Sequence, residues 1–154
     1  MATDPTYHDL ADHTEAFQVD FDPALLSYEQ LLAELWGNRK GGRSYSRQYM
    51  EAVFPANATQ AQIAKARGVS SVIEGARFYV AEDYHQKYYL RHDSTLLREL
   101  SDYTPVQLRE STVAARLNGY VAGRGSPDRL REEIGSFGLS ADATSHLERV
   151  ACRR

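Results

Sequence analysis

The spacing of apolar residues changes partway along this chain, and that change restricts its fold more than any other feature. In "EAFQVDF", Glu15 to Phe21, Phe17, Val19 and Phe21 alternate with Gln18 and Asp20, the period of a half-buried strand. "QYMEAVF", which ends at Pro55, reads as a second strand, and "VSSVIEGARFYV" as a third extended stretch. Helical patterns separate them. Ser27 and Gln30 form a capping pair ahead of Tyr28, Leu31, Leu32, Leu35 and Trp36, which predicts a helix from about Tyr28 to Trp36. "TQAQIAKARG" predicts a second helix, capped by Asn57 or Thr59 and ended by Gly68, and Asp83 opens a third. Strand and helix in alternation predict a two-layer α+β domain with its helices on one face of a sheet.

After Ser94 the strand pattern stops. Thr104-Pro105 starts a helical pattern through Leu108, Val113, Leu117 and Val121. Ser126-Pro127 repeats that start ahead of Leu130, Ile134 and Phe137, and Ser140 opens a last helix with Leu147 and Val150. The expected organisation is an α+β domain over 1–93 and a helical extension over 94–154 packed on it.

A chain of 154 residues is the size of one ordinary domain. With 42% hydrophobic and 25% charged residues it has the composition of a folded protein rather than a disordered one. The net charge of −3 is spread over scattered groups and gives no electrostatic footprint for nucleic acid. No apolar run reaches the roughly 20 residues needed to cross a bilayer, and the N-terminus lacks a signal peptide's pattern, so the expected partners exclude membranes and the expected compartment is the cytoplasm. Cys152 is the only cysteine, which rules out an intramolecular disulfide and a cysteine-based metal site within the sequence.

Four groups of residues have chemical potential. His8, Asp9, Asp12 and His13 have the donor types of a metal site, but turn-capping aspartates bonded to neighbouring histidines are the commoner arrangement, and no metal is expected. Arg39, Lys40, Arg43 and Arg47 surround Gly41 and Gly42 without phosphate-loop spacing, and read as a solvated turn. Cys152 lies among Arg149, Arg153 and Arg154, which favour a thiolate, but a chain end seldom fixes a nucleophile beside a pocket. Tyr7, Glu15 and Tyr49 flank the strand-like stretches, and a carboxyl between phenols can hold and protonate a polarised oxygen.

"PTYHDL", "DHTEAFQVDFDPALLSYEQLLAELW", "SRQYMEAVF" and "FYVAEDYHQKYY", in that order, resemble the methionine sulfoxide reductase A family over roughly Asp4 to Leu90. The resemblance implies a ferredoxin-like sandwich and thiol-dependent reduction of methionine-S-sulfoxide in proteins, a repair of oxidative damage. It implies no bound cofactor; thioredoxin or another thiol is the reductant and a possible partner, beside a protein or peptide bearing methionine sulfoxide. Glu15 matches the family's acid, Tyr7 and Tyr49 the two tyrosines that hold the sulfoxide oxygen, and His13 the histidine of a "GHAEA" motif whose glycine is Asp12 here. Tyr84, His85 and Tyr88 are implied to be supporting rings behind the pocket.

The departures bear on activity. The family's nucleophile sits in a Gly-Cys-Phe-Trp motif upstream of the segment matching "PTY", and this sequence has no such motif. An aspartate of the family falls near Ser44, and "LNGYVAG" has no resolving cysteine. The expectation is a truncated or inactive form, a sandwich without its first strand and helix. The alternative is a non-catalytic module that binds methionine sulfoxide or serves as a structural or dimerising element.

Overall fold

The computed structural model describes residues 13–36 and 47–152, and the chain divides into two units, Met1–Val80 and Ala81–Arg154. In the first unit the capping pair forms as its sequence dictates. Gln30 N–H donates to Ser27 Oγ at 3.2 Å, and Ser27 N–H donates to Gln30 Oε1 at 2.9 Å. Helix α1 (Tyr28–Trp36) follows and buries Leu32. Asn57 caps α2 (Ala58–Ala66) by accepting from Gln60 N–H at 2.9 Å, and Gly68, at φ +78°, lets the chain leave the helix in a left-handed turn. Leu32, Ala64 and Val69 form a small core, with Tyr28, Trp36, Val53, Ile63 and Val72 packed around it.

The sandwich expected from the alternating stretches does not form. Among the described residues no strand is present, and the one β-pairing is an isolated parallel bridge between Val53 and Val72. Its two hydrogen bonds run from Val53 N–H to Ser71 O and from Ile73 N–H to Val53 O, each 2.9 Å. This corrects the α+β, ferredoxin-like assignment. Alternation fixes which side chains share a face of an extended chain, but a strand exists only where a neighbour satisfies its backbone groups over several residues. In Glu15 to Phe21 most of the apolar face is open, Phe17 being 66% exposed and Val19 40%, and among the described residues only Phe21 stacks on a partner, Tyr28.

The second unit is built of short helices, all but the first of them started by a capping side chain. These are α3 (Tyr88–Arg91), α4 (Ser94–Glu99), α5 (Pro105–Glu110), α6 (Thr112–Val121), α7 (Pro127–Glu133) and α8 (Ala141–Ala151). Helices this short are marginal alone, so caps and packing have to supply what length does not. Asp93, Thr104, Ser111, Ser126 and Ser140 each accept a hydrogen bond from the backbone N–H three residues on, and Thr104 forms a full capping box with Gln107. The single helix expected from Thr104 to Val121 is two. Ser111 takes an extended conformation, ends α5, and caps α6 through Ala114 N–H. The expected helix from Asp83 is likewise interrupted, into a 3-10 turn at Asp83–His85 and α3, with Lys87 between them at φ +54°.

Helix α6 is the hub, packed against α3, α5 and α8. It buries Ala114, Leu117 and Tyr120 among Leu90, Leu96, Leu108, Leu130 and Leu147. Asn118 Oδ1 accepts from Leu90 N–H at 3.1 Å, so α6 satisfies a donor in the first turn of α3. Tyr120 donates its hydroxyl to Glu133 at 2.6 Å, and burial, followed by that hydrogen bond and the carboxylate's charge, pushes the phenol up to about 12. The loop after α6 folds against the same ring: a Cβ on Gly125 would lie 2.8 Å from Tyr120 Cε1, at φ +104°. Gly125→Ala therefore combines a clash with backbone strain, and should destabilise this unit by about 1–3 kcal/mol in denaturant unfolding. A change below about 0.5 kcal/mol would show that the loop does not depend on glycine.

Helices α4 and α8 are joined by two carboxylates. Asp93 Oδ2 lies 2.8 Å from His146 Nε2, and Glu99 accepts from Ser140 N–H at 2.8 Å and from Ser140 Oγ at 2.9 Å. The two Ser140 bonds, backbone first, hold the Glu99 carboxyl below its usual range. A carboxyl depressed in the folded state stabilises it above the unfolded value, and that stability is lost as pH falls through the folded value. Acid unfolding of this unit should thus begin at a higher pH, relative to the unit's neutral-pH stability, when Glu99 is present than in Glu99→Gln, whose loss is pH-independent. Identical acid profiles would contradict the assignment.

Candidate functional site

The segment that carries Glu15 lies beside the 3-10 turn Arg47–Tyr49. Glu15 N–H donates to Gln48 O at 2.9 Å, so the residue bearing the carboxyl is tied to the immediate neighbour of Tyr49. Gln48 Nε2 donates to the Tyr49 hydroxyl at 3.1 Å. An oxygen that accepts there keeps its own proton for an outside acceptor. Tyr49 is 59% exposed and Glu15 is exposed, so both are open to a ligand. The acid and one of the two tyrosines expected from the sequence are thereby brought into one locality.

His13 packs edge-on against Tyr79, ring centroids 5.1 Å apart at 88°, and the Arg77 guanidinium lies 4.9 Å from the centre of the Tyr79 ring. Cation and histidine thus share one aromatic platform in the same unit as Glu15. Gln48, Arg77 and Tyr79 were not singled out from the sequence. The glutamine beside the tyrosine in "RQY" was the available signal for the first of them. Tyr7 falls outside the described residues, as do His8, Asp9, Asp12 and the basic residues Arg39, Lys40 and Arg43. Among the described residues, no three of His, Cys, Asp or Glu gather into a set that could hold a metal.

The remaining candidates belong to the other unit. Cys152 is exposed and directly follows α8. The Tyr84 and His85 rings lie 4.2 Å apart, tilted at 44°, and Tyr88 lies 4.3 Å from His92 and 5.7 Å from Tyr89. His92 Nδ1 is 2.8 Å from Tyr88 O, which fixes that ring pair over the first turn of α3. Tyr84, Tyr88 and Tyr89 are each about half exposed. No helix among the described residues is long and apolar enough to cross a membrane.

Glu15 and Tyr49 thus carry a carboxyl and a phenol on two stretches of one unit that a backbone hydrogen bond holds together. The family profile described as peptide methionine sulfoxide reductase matches residues 1–115, and so includes Glu15, Gln48, Tyr49 and the Tyr84 to Tyr89 stretch. A second profile, selenoprotein methionine sulfoxide reductase A, helical domain, matches 104–147, the region of α5 to α8. Among similar proteins, the peptide methionine sulfoxide reductase of Drosophila melanogaster is 33% identical over 150 residues, covering 88% of this chain and 61% of that protein. Peptide methionine sulfoxide reductase A5 of Arabidopsis thaliana is 29% identical over 152 residues, covering 87% of this chain and 59% of that protein. The A5 protein of Oryza sativa subsp. japonica is 33% identical over 143 residues, covering 80% and 56%. The chain thus spans about three fifths of the length of these relatives. On the breadth of the first profile match, the chain belongs to the peptide methionine sulfoxide reductase family.

Proposed function

We propose that this chain carries the oxygen-binding side of a methionine-S-sulfoxide reductase, and that the 154 residues alone bind the sulfoxide without turning it over. The observation that carries the reading is the Glu15 to Gln48 hydrogen bond, which brings the acid beside a tyrosine whose hydroxyl proton is free to donate. In it, Tyr49 and Tyr7 hold the sulfoxide oxygen and Glu15 supplies a proton to it, with His13 beside them. That role needs the bound oxygen within hydrogen-bond reach of the Glu15 carboxyl.

Reduction itself consumes two thiols. One thiolate attacks the sulfoxide sulfur, the S–O bond breaks, and a second thiol closes a disulfide, giving the thioether and water. Cys152, the sequence's one cysteine, lies in the unit that does not bear Glu15, and supplies at most one of those thiols. Thioredoxin or a similar dithiol fits the role of reductant in the complete reaction. Titration of the chain with a peptide containing methionine-S-sulfoxide tests the reading. Saturable binding that prefers the S over the R epimer is expected, whereas equal response to both epimers, or none, would reject it.

A further inference from the structure

The helical unit contains a cleft of about 190 Å³ between α3, α4 and α5. Leu97, Leu100 and Leu108 give it an apolar floor, the last two buried in the unit's core. Arg91, Ser101, Tyr103 and Pro105 complete the lining. Arg91 is half-buried, and its Nε donates to Gln86 O at 2.7 Å, which anchors the guanidinium at the cleft. Among the described residues no carboxylate pairs with it, whereas Arg109, Arg116, Arg129 and Arg131 of the same unit each pair with an acid. Neither Ser101 Oγ nor the Tyr103 hydroxyl has a hydrogen-bond partner among the described residues.

A cation held in place beside apolar walls, with hydroxyls alongside and no acid opposite, is complementary to a ligand that is anionic at one end and apolar at the other. The fork of N–H groups left on Arg91 matches a carboxylate, and the apolar wall raises the value of that pairing above what it has in water. Size sets the rest. The cleft is smaller than the roughly 300 Å³ at which drug-sized sites begin, so its occupant is one side chain or a short acid. We propose that this cleft binds a carboxylate carried on a short aliphatic chain, with Arg91 on the carboxylate and the three leucines on the chain. Two sources present that chemistry, a free short-chain acid and the C-terminal residue of a polypeptide that ends in an aliphatic side chain.

The test is amide chemical-shift mapping on the full chain with hexanoate, hexanol and acetate, alongside a short peptide ending in leucine with its C-terminus free or amidated. Expected are saturable shifts confined to residues 86–108 with hexanoate, at least tenfold weaker binding of hexanol and of acetate, and at least tenfold weaker hexanoate binding by Arg91→Gln. Binding of the free peptide but not its amide identifies a polypeptide terminus as a source; hexanoate binding with a silent peptide identifies the free acid. Equal binding of hexanoate and hexanol would overturn the proposal, since the carboxylate would then count for nothing. Shifts scattered over exposed arginines, or none, would overturn it too. The comparison of hexanoate with hexanol uses the unaltered chain, so the result stands even where Arg91→Gln disturbs the Gln86 contact.

Discussion

Cutting Leu117 back to alanine is expected to destabilise the helical unit by about 3 kcal/mol, within the 2–5 kcal/mol typical of buried leucines. Leu117 is fully buried at the centre of α6, the helix that touches α3, α5 and α8 together. Collapse into the space is opposed by the caps of α5 and α8 and by the Asn118 to Leu90 hydrogen bond that ties α3 to α6. For a unit of this size a loss of that order lowers Tm by more than about 10 °C. Thermal unfolding followed by far-ultraviolet circular dichroism reads it, with Val106→Ala, 49% exposed on α5, as the control that should shift little. A Leu117→Ala shift no larger than the control's would mean that α6 is not the hub of this unit.

The second large effect concerns the oxygen site. In Tyr49→Phe the ligand loses the phenol donor, and in Glu15→Ala it loses the carboxyl, while the Glu15 to Gln48 backbone bond survives both changes. Two hydrogen bonds at about 1 kcal/mol each are at stake. The double variant should therefore bind a methionine-S-sulfoxide peptide roughly thirtyfold more weakly, each single variant accounting for about fivefold. Because both side chains are exposed, neither change should alter the unfolding midpoint appreciably. Unchanged affinity in the double variant would remove Glu15 and Tyr49 from the site.

What could be read in the sequence was what is decided locally. Ser27 with Gln30, Asn57, Thr104, Ser126 and Ser140 announce helix starts because a cap bonds a backbone group only two or three residues away. The break at Ser111 obeys the same local rule but was hidden, since the apolar spacing through Leu108, Val113 and Leu117 runs on across it. Strand content was misjudged for the opposite reason. Phe17, Val19 and Phe21 alternate faithfully, yet pairing depends on residues elsewhere, and alternation carries no information about whether they are present. Among the described residues only Val53 and Val72 found each other.

For the site, the residues alone offered Tyr7, Glu15 and Tyr49 as a carboxyl with phenols and His13 as a possible metal donor, but their roles came only from the resemblance, because a carboxylate and scattered tyrosines have no diagnostic spacing of their own. The Gln48 link that brings Glu15 alongside Tyr49 is a backbone contact between residues 33 positions apart in the sequence, and nothing in either segment announces it. The Arg91 cleft is similar in kind. Its lining comes from α3, α4 and α5, and only their packing reveals that the guanidinium has no acid opposite it among the described residues.

The most direct test of the account is dithiothreitol-driven reduction of a methionine-S-sulfoxide peptide by this 154-residue chain, with Cys152→Ser alongside and binding measured on the same samples. The account predicts saturable binding by both proteins and turnover by neither. Turnover by the unaltered chain that disappears in Cys152→Ser would contradict it, because the thiol after α8 would then have to reach a sulfoxide held at Glu15.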